Sequence, residues 1–199
     1  MANGPPNRGG SETPPRPPTL RDLALLCAEL NRLGAHYVVV GGLAMAQAGY
    51  LRTTEDIDLL VETTPENEAK VIQALLILPD KAAAELKPGE IGQYGVVRVG
   101  DEVLVDLMRS GCGVAYADAA EDARVFEIEG VPVPFASPLV LWRMKQTVRA
   151  KDIPDRLFLR KLLAAQGINV GETEPKSAER RLIRWWGAIK KRLWRDPSL

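Results

Sequence analysis

The 199-residue chain sets 26 Lys and Arg against 26 Asp and Glu, with 46% hydrophobic and 26% charged residues. That balance excludes a fibrous or wholly disordered protein, gives no global basic field for a polyanion, and at roughly 150 residues per domain leaves room for one or two domains. Cys27 and Cys112 stand outside any CxxC or Cys/His cluster and no run approaches 18 apolar residues, so the expectation is a soluble, cytoplasmic protein with no disulfide scaffold, structural zinc site or membrane span.

Residues 1–19 hold six prolines and three glycines without apolar periodicity, the pattern of a disordered tail. From Leu20 the apolar residues Leu23, Leu26, Cys27, Leu30 and Leu33 recur at three and four, which predicts a helix ended by Gly34. Tyr37–Val40 reads as a strand, Gly41-Gly42 as its interruption before a helix or tight turn, and Ile57–Val61 as a second strand. Thr64 and Pro65 predict the start of a helix whose stripe of Val71, Leu75 and Leu78 ends at Pro79. Tyr94–Val99 and Glu102–Met108 read as a hairpin joined by Gly100-Asp101. Residues 125–135 read as edge strands, because Pro132 and Pro134 lack donors that a central strand uses. Ser137-Pro138 predicts a helix to about Ala150, Asp152 and Pro154 another to about Ala165, and a last helix spans about Lys176–Trp194. These elements describe an α/β (α+β) protein: a short mixed sheet flanked by helices over 20–136, then a helical subdomain over 137–199.

The segment from Val38 to Val61 carries the chemistry. Residues two apart on a strand share a face, so Asp56 and Asp58 point one way while Ile57 and Leu59 enter the core. Two carboxylates in one small space suit a hard divalent cation such as Mg²⁺, which takes carboxylate oxygens together with substrate phosphates. Taken alone the pair is also compatible with a solvated strand edge. Asp106 lies in an apolar alternation, which makes it the natural third ligand if its strand runs beside that of Asp56 and Asp58. Gly41 and Gly42 either serve the turn or offer bare N–H groups to phosphate.

Gly41-Gly42, thirteen residues, Asp56-Ile57-Asp58 and a later Asp106 together resemble the signature of the nucleotidyltransferase superfamily. The form Arg52-x-Thr54-x-Asp56-Ile57-Asp58, followed by Lys145, Lys151-Asp152 and Asp155, resembles the minimal bacterial branch that includes AbiEii-type toxins and small antibiotic nucleotidyltransferases. The resemblance covers roughly 20–165. It implies transfer of a nucleoside monophosphate from a nucleoside triphosphate to a hydroxyl, on RNA or tRNA, a protein or a small molecule, with pyrophosphate released. It also implies a nucleotide cradle that includes Gly41, Gly42, Arg52 and Thr54. Asp56 and Asp58 would hold both Mg²⁺ ions, with Asp106 on the ion nearer the acceptor. Toxin-like biology with an antitoxin partner follows from the resemblance alone. The opposing reading is a noncatalytic nucleotide- or nucleic-acid-binding protein that keeps the fold.

Four further positions have alternative readings. Lys145 is a phosphate-reaching ammonium or an exposed lysine, and Arg52 neutralises phosphate or pairs with Glu55 or an aspartate. Asp152 reads first as a helix cap, and Asp155 as a surface residue or as a cleft residue positioning Lys151 or Arg156. His36 lacks the partners of an acid–base catalyst. From Lys176 to Asp196, eight basic residues interleave with Trp185, Trp186 and Trp194, a stripe read mainly as packing with a basic face open to RNA.

Overall fold

The computed structural model describes residues 7–8 and 14–171. A two-residue strand, β1 (Asn7–Arg8), precedes α1 (Leu20–Arg32). Thr19 and Asp22 open α1 with a reciprocal cap, each side chain accepting from the other's backbone N–H. Leu23, Leu26, Cys27 and Leu30 are buried along one side of it, as their spacing predicts. Next come β2 (Tyr37–Val39), α2 (Gly41–Gln47), β3 (Asp56–Val61) and α3 (Pro65–Leu75). A single 3₁₀ turn at Ala82–Glu85 leads to α4 (Glu90–Tyr94), β4 (Val96–Gly100) and β5 (Leu104–Met108). The ribbon β6 (Ser110–Gly111) and β7 (Val114–Ala115), then α5 (Tyr116–Glu121), β8 (Arg124–Ile128) and β9 (Val131–Phe135), complete the sheet domain. Among the described residues, the C-terminal helical subdomain comprises α6 (Pro138–Met144) and α7 (Asp152–Ala165).

Seven strands form one mixed sheet in the order β1-β4-β5-β3-β2-β9-β8. Its core side joins Leu26 and Leu30 of α1 and Val71 and Leu75 of α3 to Ile57, Leu59, Val105 and Leu107 of the central strands. Alternation along β3, β4 and β5 therefore sends a second set of residues, Asp56, Asp58, Arg98 and Asp106 among them, to the opposite face.

Several boundaries differ from the sequence expectations for identifiable reasons. Residues 14–19 belong to the proline-rich stretch, yet the Arg16 guanidinium binds Asp22 at 2.8 Å and Glu102 at 3.0 Å, tying the stretch to the domain. Helix α3 stops at Leu75, three residues before Leu78. Tyr94 ends a helix instead of starting a strand, because the buried Glu68 carboxylate accepts the N–H groups of Gly89, Ile91 and Gly92 and so caps α4. The hairpin of β4 and β5 forms as expected, and the buried Asp101 at its turn accepts from the N–H groups of Asp80, Ala82 and Glu102. Strand β9 is interior, between β8 and β2. It meets β2 only at Val39–Phe135, so Pro132 and Pro134 owe β2 no donor. Helix α6 ends at Met144, well short of Ala150: the Gln146 side-chain amide donates to the Trp142 carbonyl, and Arg156 donates to the carbonyls of Lys145 and Thr147. The expected last helix at Lys176–Trp194 lies outside the described residues, as does any reading of its basic face.

Candidate active site

Strands β3 and β5 lie side by side, parallel and in register, with Asp58 directly opposite Asp106. The adjacency that the third carboxylate required is therefore met. Asp56 and Asp58 flank the buried Ile57 on the face away from the core, and Asp106 joins them on that face. Each of the three offers an oxygen within 4.8 Å of the others'. The Thr54 hydroxyl lies 3.3 Å from a carboxylate oxygen of Asp56 and 3.2 Å from its carbonyl, which orients the first acid. The Gly42 N–H donates to Asp58 at 3.4 Å. Burial, then the charges of Asp56 and Asp106, push the Asp58 carboxyl up to about 7, against the opposing pull of the Gly42 N–H and Lys145. Three hard oxygen donors converging within 4.8 Å form a set that fits Mg²⁺ or Mn²⁺, whereas a soft-metal site would call for Cys or His.

A fourth member of the cluster was absent from the sequence reading. Arg98 sits on β4 directly opposite Asp106, so that Arg98, Asp106 and Asp58 form one row across three strands. Its Nε donates to Asp106 Oδ1 at 2.7 Å and its Nη2 to Oδ2 at 2.6 Å, a bidentate pair, and Nη2 also reaches Asp56 at 3.2 Å. The hydrogen bonds from Arg98 to Asp106, opposed by partial burial and reinforced by the surrounding carboxylate charge, hold the guanidinium even more firmly in its charged form. The alternation of Arg98 between buried Val97 and Val99, combined with the hairpin register, is the signal that would have found it.

The helical subdomain supplies a second polar cluster. Lys145 is buried at the end of α6 and is neither exposed nor free: its Nζ lies 3.1 Å from Asp152 and 2.9 Å from Asp155. Asp152 does not cap α7. Its carboxylate instead collects Lys145, the Thr147 hydroxyl and the Arg149 guanidinium. Burial works to raise the Asp152 carboxyl, but these donors together hold it below its ordinary value. Asp155, also buried, pairs with Lys145 and, at 3.4 Å, with Arg52, in place of Lys151 or Arg156. Arg52 thus ties the loop before β3 to α7.

Between the two clusters lies a cleft of about 1260 Å³. The three aspartates and Arg98 form its floor, Arg52, Lys145, Arg149 and Lys151 one wall, and Tyr94, Met108 and the β6–β7 ribbon the other. Gly41 lines it too, at φ 63°, and a Cβ there would overlap the Asp58 carboxylate. A Cβ on Gly42 would overlap Thr54 in the same way, so this glycine pair admits the very side chains that build the floor. Every residue singled out for the site from sequence therefore meets at or beside one cleft. His36 lies elsewhere, 2.8 Å from Glu62 and stacked on Tyr116. Cys27 is buried and Cys112 exposed, both as free thiols.

No protein-family model and no curated protein matches the sequence. Among solved structures, the chain is similar to an antigenic nucleotidyltransferase-like protein from Paracoccidioides brasiliensis at 20% identity and a TM-score of 0.46, covering 75% of this chain and 79% of that one. It is also similar to the antibiotic-resistance factor ANT(2'')-Ia in solution, at 15% identity and a TM-score of 0.47, covering 87% of this chain and 95% of that one. A crystal structure of ANT(2'')-Ia with adenylyl-2''-tobramycin gives 15% identity and a TM-score of 0.46 over 74% and 91% of the two chains. Among the described residues, no helix is long and apolar enough to cross a membrane.

Proposed function

We propose that this chain is a divalent-cation-dependent nucleotidyltransferase that moves a nucleoside monophosphate from a nucleoside triphosphate to a hydroxyl acceptor. The observation that carries the reading is the convergence of Asp56, Asp58 and Asp106, from two in-register strands, on the floor of a cleft with a basic wall. Asp56, Asp58 and Asp106 would hold the cation. When bound, it would supply charge neutralisation on the phosphates and a lowered pKa for the attacking hydroxyl.

The remaining groups act by position. Thr54 and the Gly42 N–H keep the first two carboxylates aimed into the cleft before substrate arrives. Arg149 and Lys151 line the basic wall that a triphosphate would meet, and Lys145 and Arg52 line the same wall, held in place by Asp152 and Asp155 of α7. The acceptor hydroxyl gives up its proton to solvent as its oxygen attacks the α-phosphorus, the bond from that phosphorus to the bridging oxygen breaks, and pyrophosphate leaves. RNA, protein and small-molecule hydroxyls are all acceptors of this chemistry.

The test is incubation of wild-type and Asp58→Ala proteins with Mg²⁺, each α-³²P-labelled nucleoside triphosphate, total RNA and cell extract, followed by resolution of labelled products. Label on RNA, protein or a small molecule that disappears with Asp58→Ala is the expected result and identifies the acceptor class. Equal labelling by a folded Asp58→Ala protein would overturn the assignment.

A further inference from the structure

The Arg98 guanidinium occupies the oxygens that a cation at this site would use. Both oxygens of Asp106 and one of Asp56 accept its hydrogen bonds, at 2.6 to 3.2 Å. Three carboxylates within 4.8 Å of one another repel strongly, and a partly buried cluster of this kind is stabilised by positive charge against it. Arg98 delivers one such charge from the neighbouring strand, in the fork geometry that fixes a carboxylate in both position and plane. A divalent ion carries twice that charge and seeks the same lone pairs.

We propose that Arg98 is the resident counter-cation of the acidic cluster, competing with the divalent ion for the oxygens of Asp106 and Asp56 and thereby setting how tightly the ion is held. The inference rests on reading the three aspartates as cation ligands. Two features suit the exchange. The Arg98 side chain is 38% exposed and lines the cleft, so it leaves the carboxylates by side-chain rotation alone. Val97 and Val99 on either side of it are buried and keep β4 in place as it does so. While no ion is bound, the fork keeps Asp106 aimed at the cluster; once an ion arrives, the same guanidinium turns into the cleft, where phosphate or acceptor groups meet it.

The experiment is a titration of the full-length protein with Mn²⁺ alone, free ion being counted by electron paramagnetic resonance at neutral pH and low salt. The proteins compared are wild type, Arg98→Gln, Arg98→Lys and Asp58→Asn. Arg98→Gln is expected to bind Mn²⁺ at least tenfold more tightly than wild type. Arg98→Lys, which keeps the charge and folding but loses the fork, is expected to fall between them. Without metal, Arg98→Gln should melt below wild type, with the gap closing as Mn²⁺ is added. Folded Arg98 variants that bind Mn²⁺ no more tightly than wild type would overturn the competition while leaving the ligand assignment intact. An Asp58→Asn protein that binds like wild type would instead remove the ligand assignment, and the inference with it.

Discussion

Replacing Gly41 by alanine would drive a methyl group into the Asp58 carboxylate and force an L side chain to adopt φ 63°. Gly41→Ala is expected to lose about 1–3 kcal/mol of stability and to bind Mn²⁺ more weakly, read by urea denaturation and the same titration. Asp58 gives the opposite expectation for stability. Its carboxyl is raised to about 7 in the fold, against about 3.9 in the unfolded chain. Between those values the folded protein holds a proton the unfolded chain has lost, so metal-free stability falls as pH rises from about 4 to about 7. In EDTA, Asp58→Asn should therefore exceed wild type by on the order of 4 kcal/mol at pH 7.5, the advantage shrinking toward zero near pH 4. Denaturation curves across that range check the sign. At this scale the Asp56–Asp58 pair was legible because a strand's period of two is strict. Arg98 was not, since a lone arginine on a half-exposed strand reads as a solvated residue until the register of its neighbour turns it toward Asp106.

Helix α7 enters the site through its first turn, where Asp152 and Asp155 are both buried against Lys145. Removing Lys145 leaves the two buried acids with only Arg149 and the more distant Arg52 opposite them, a loss of up to about 3–5 kcal/mol. Lys145→Met is thus expected to destabilise the fold by that amount, and a Lys145→Met, Asp155→Asn double substitution to recover part of it. A double-mutant cycle by urea denaturation measures the coupling. The start and length of α1 and the cap of α3 at Thr64 were readable from apolar spacing and capping residues. The early end of α6 was not, because it is set by Arg156, eleven residues on, binding the Lys145 carbonyl. Glu68 capping α4 from another helix is the same case: a tertiary partner decides a local boundary. Asp152 shows the converse, a capping residue type in a capping position that is taken up by three side-chain donors instead.

Across the whole molecule, one sheet has a packed face and a chemical face, and strand order decides which residues share the latter. Composition and periodicity identified β2, β3, β5 and most of β4, β8 and β9, but not β6, β7 or β1, which lies in the stretch expected to be a disordered tail; the parallel pairing of β3 with β5 depends on contacts between distant parts of the chain, which no local pattern encodes. The β4–β5 hairpin has a consequence for the order of assembly. Arg98 and Asp106 are only eight residues apart, so closing the hairpin joins them at small entropic cost. Asp58 must instead cross 48 residues of chain to reach Asp106. Sequence-distant pairings are the slower ones to form. Hairpin closure is thus expected to pair Asp106 with Arg98 before β3 docks and brings in Asp56 and Asp58, so the three carboxylates converge on a partner whose charge has been met beforehand.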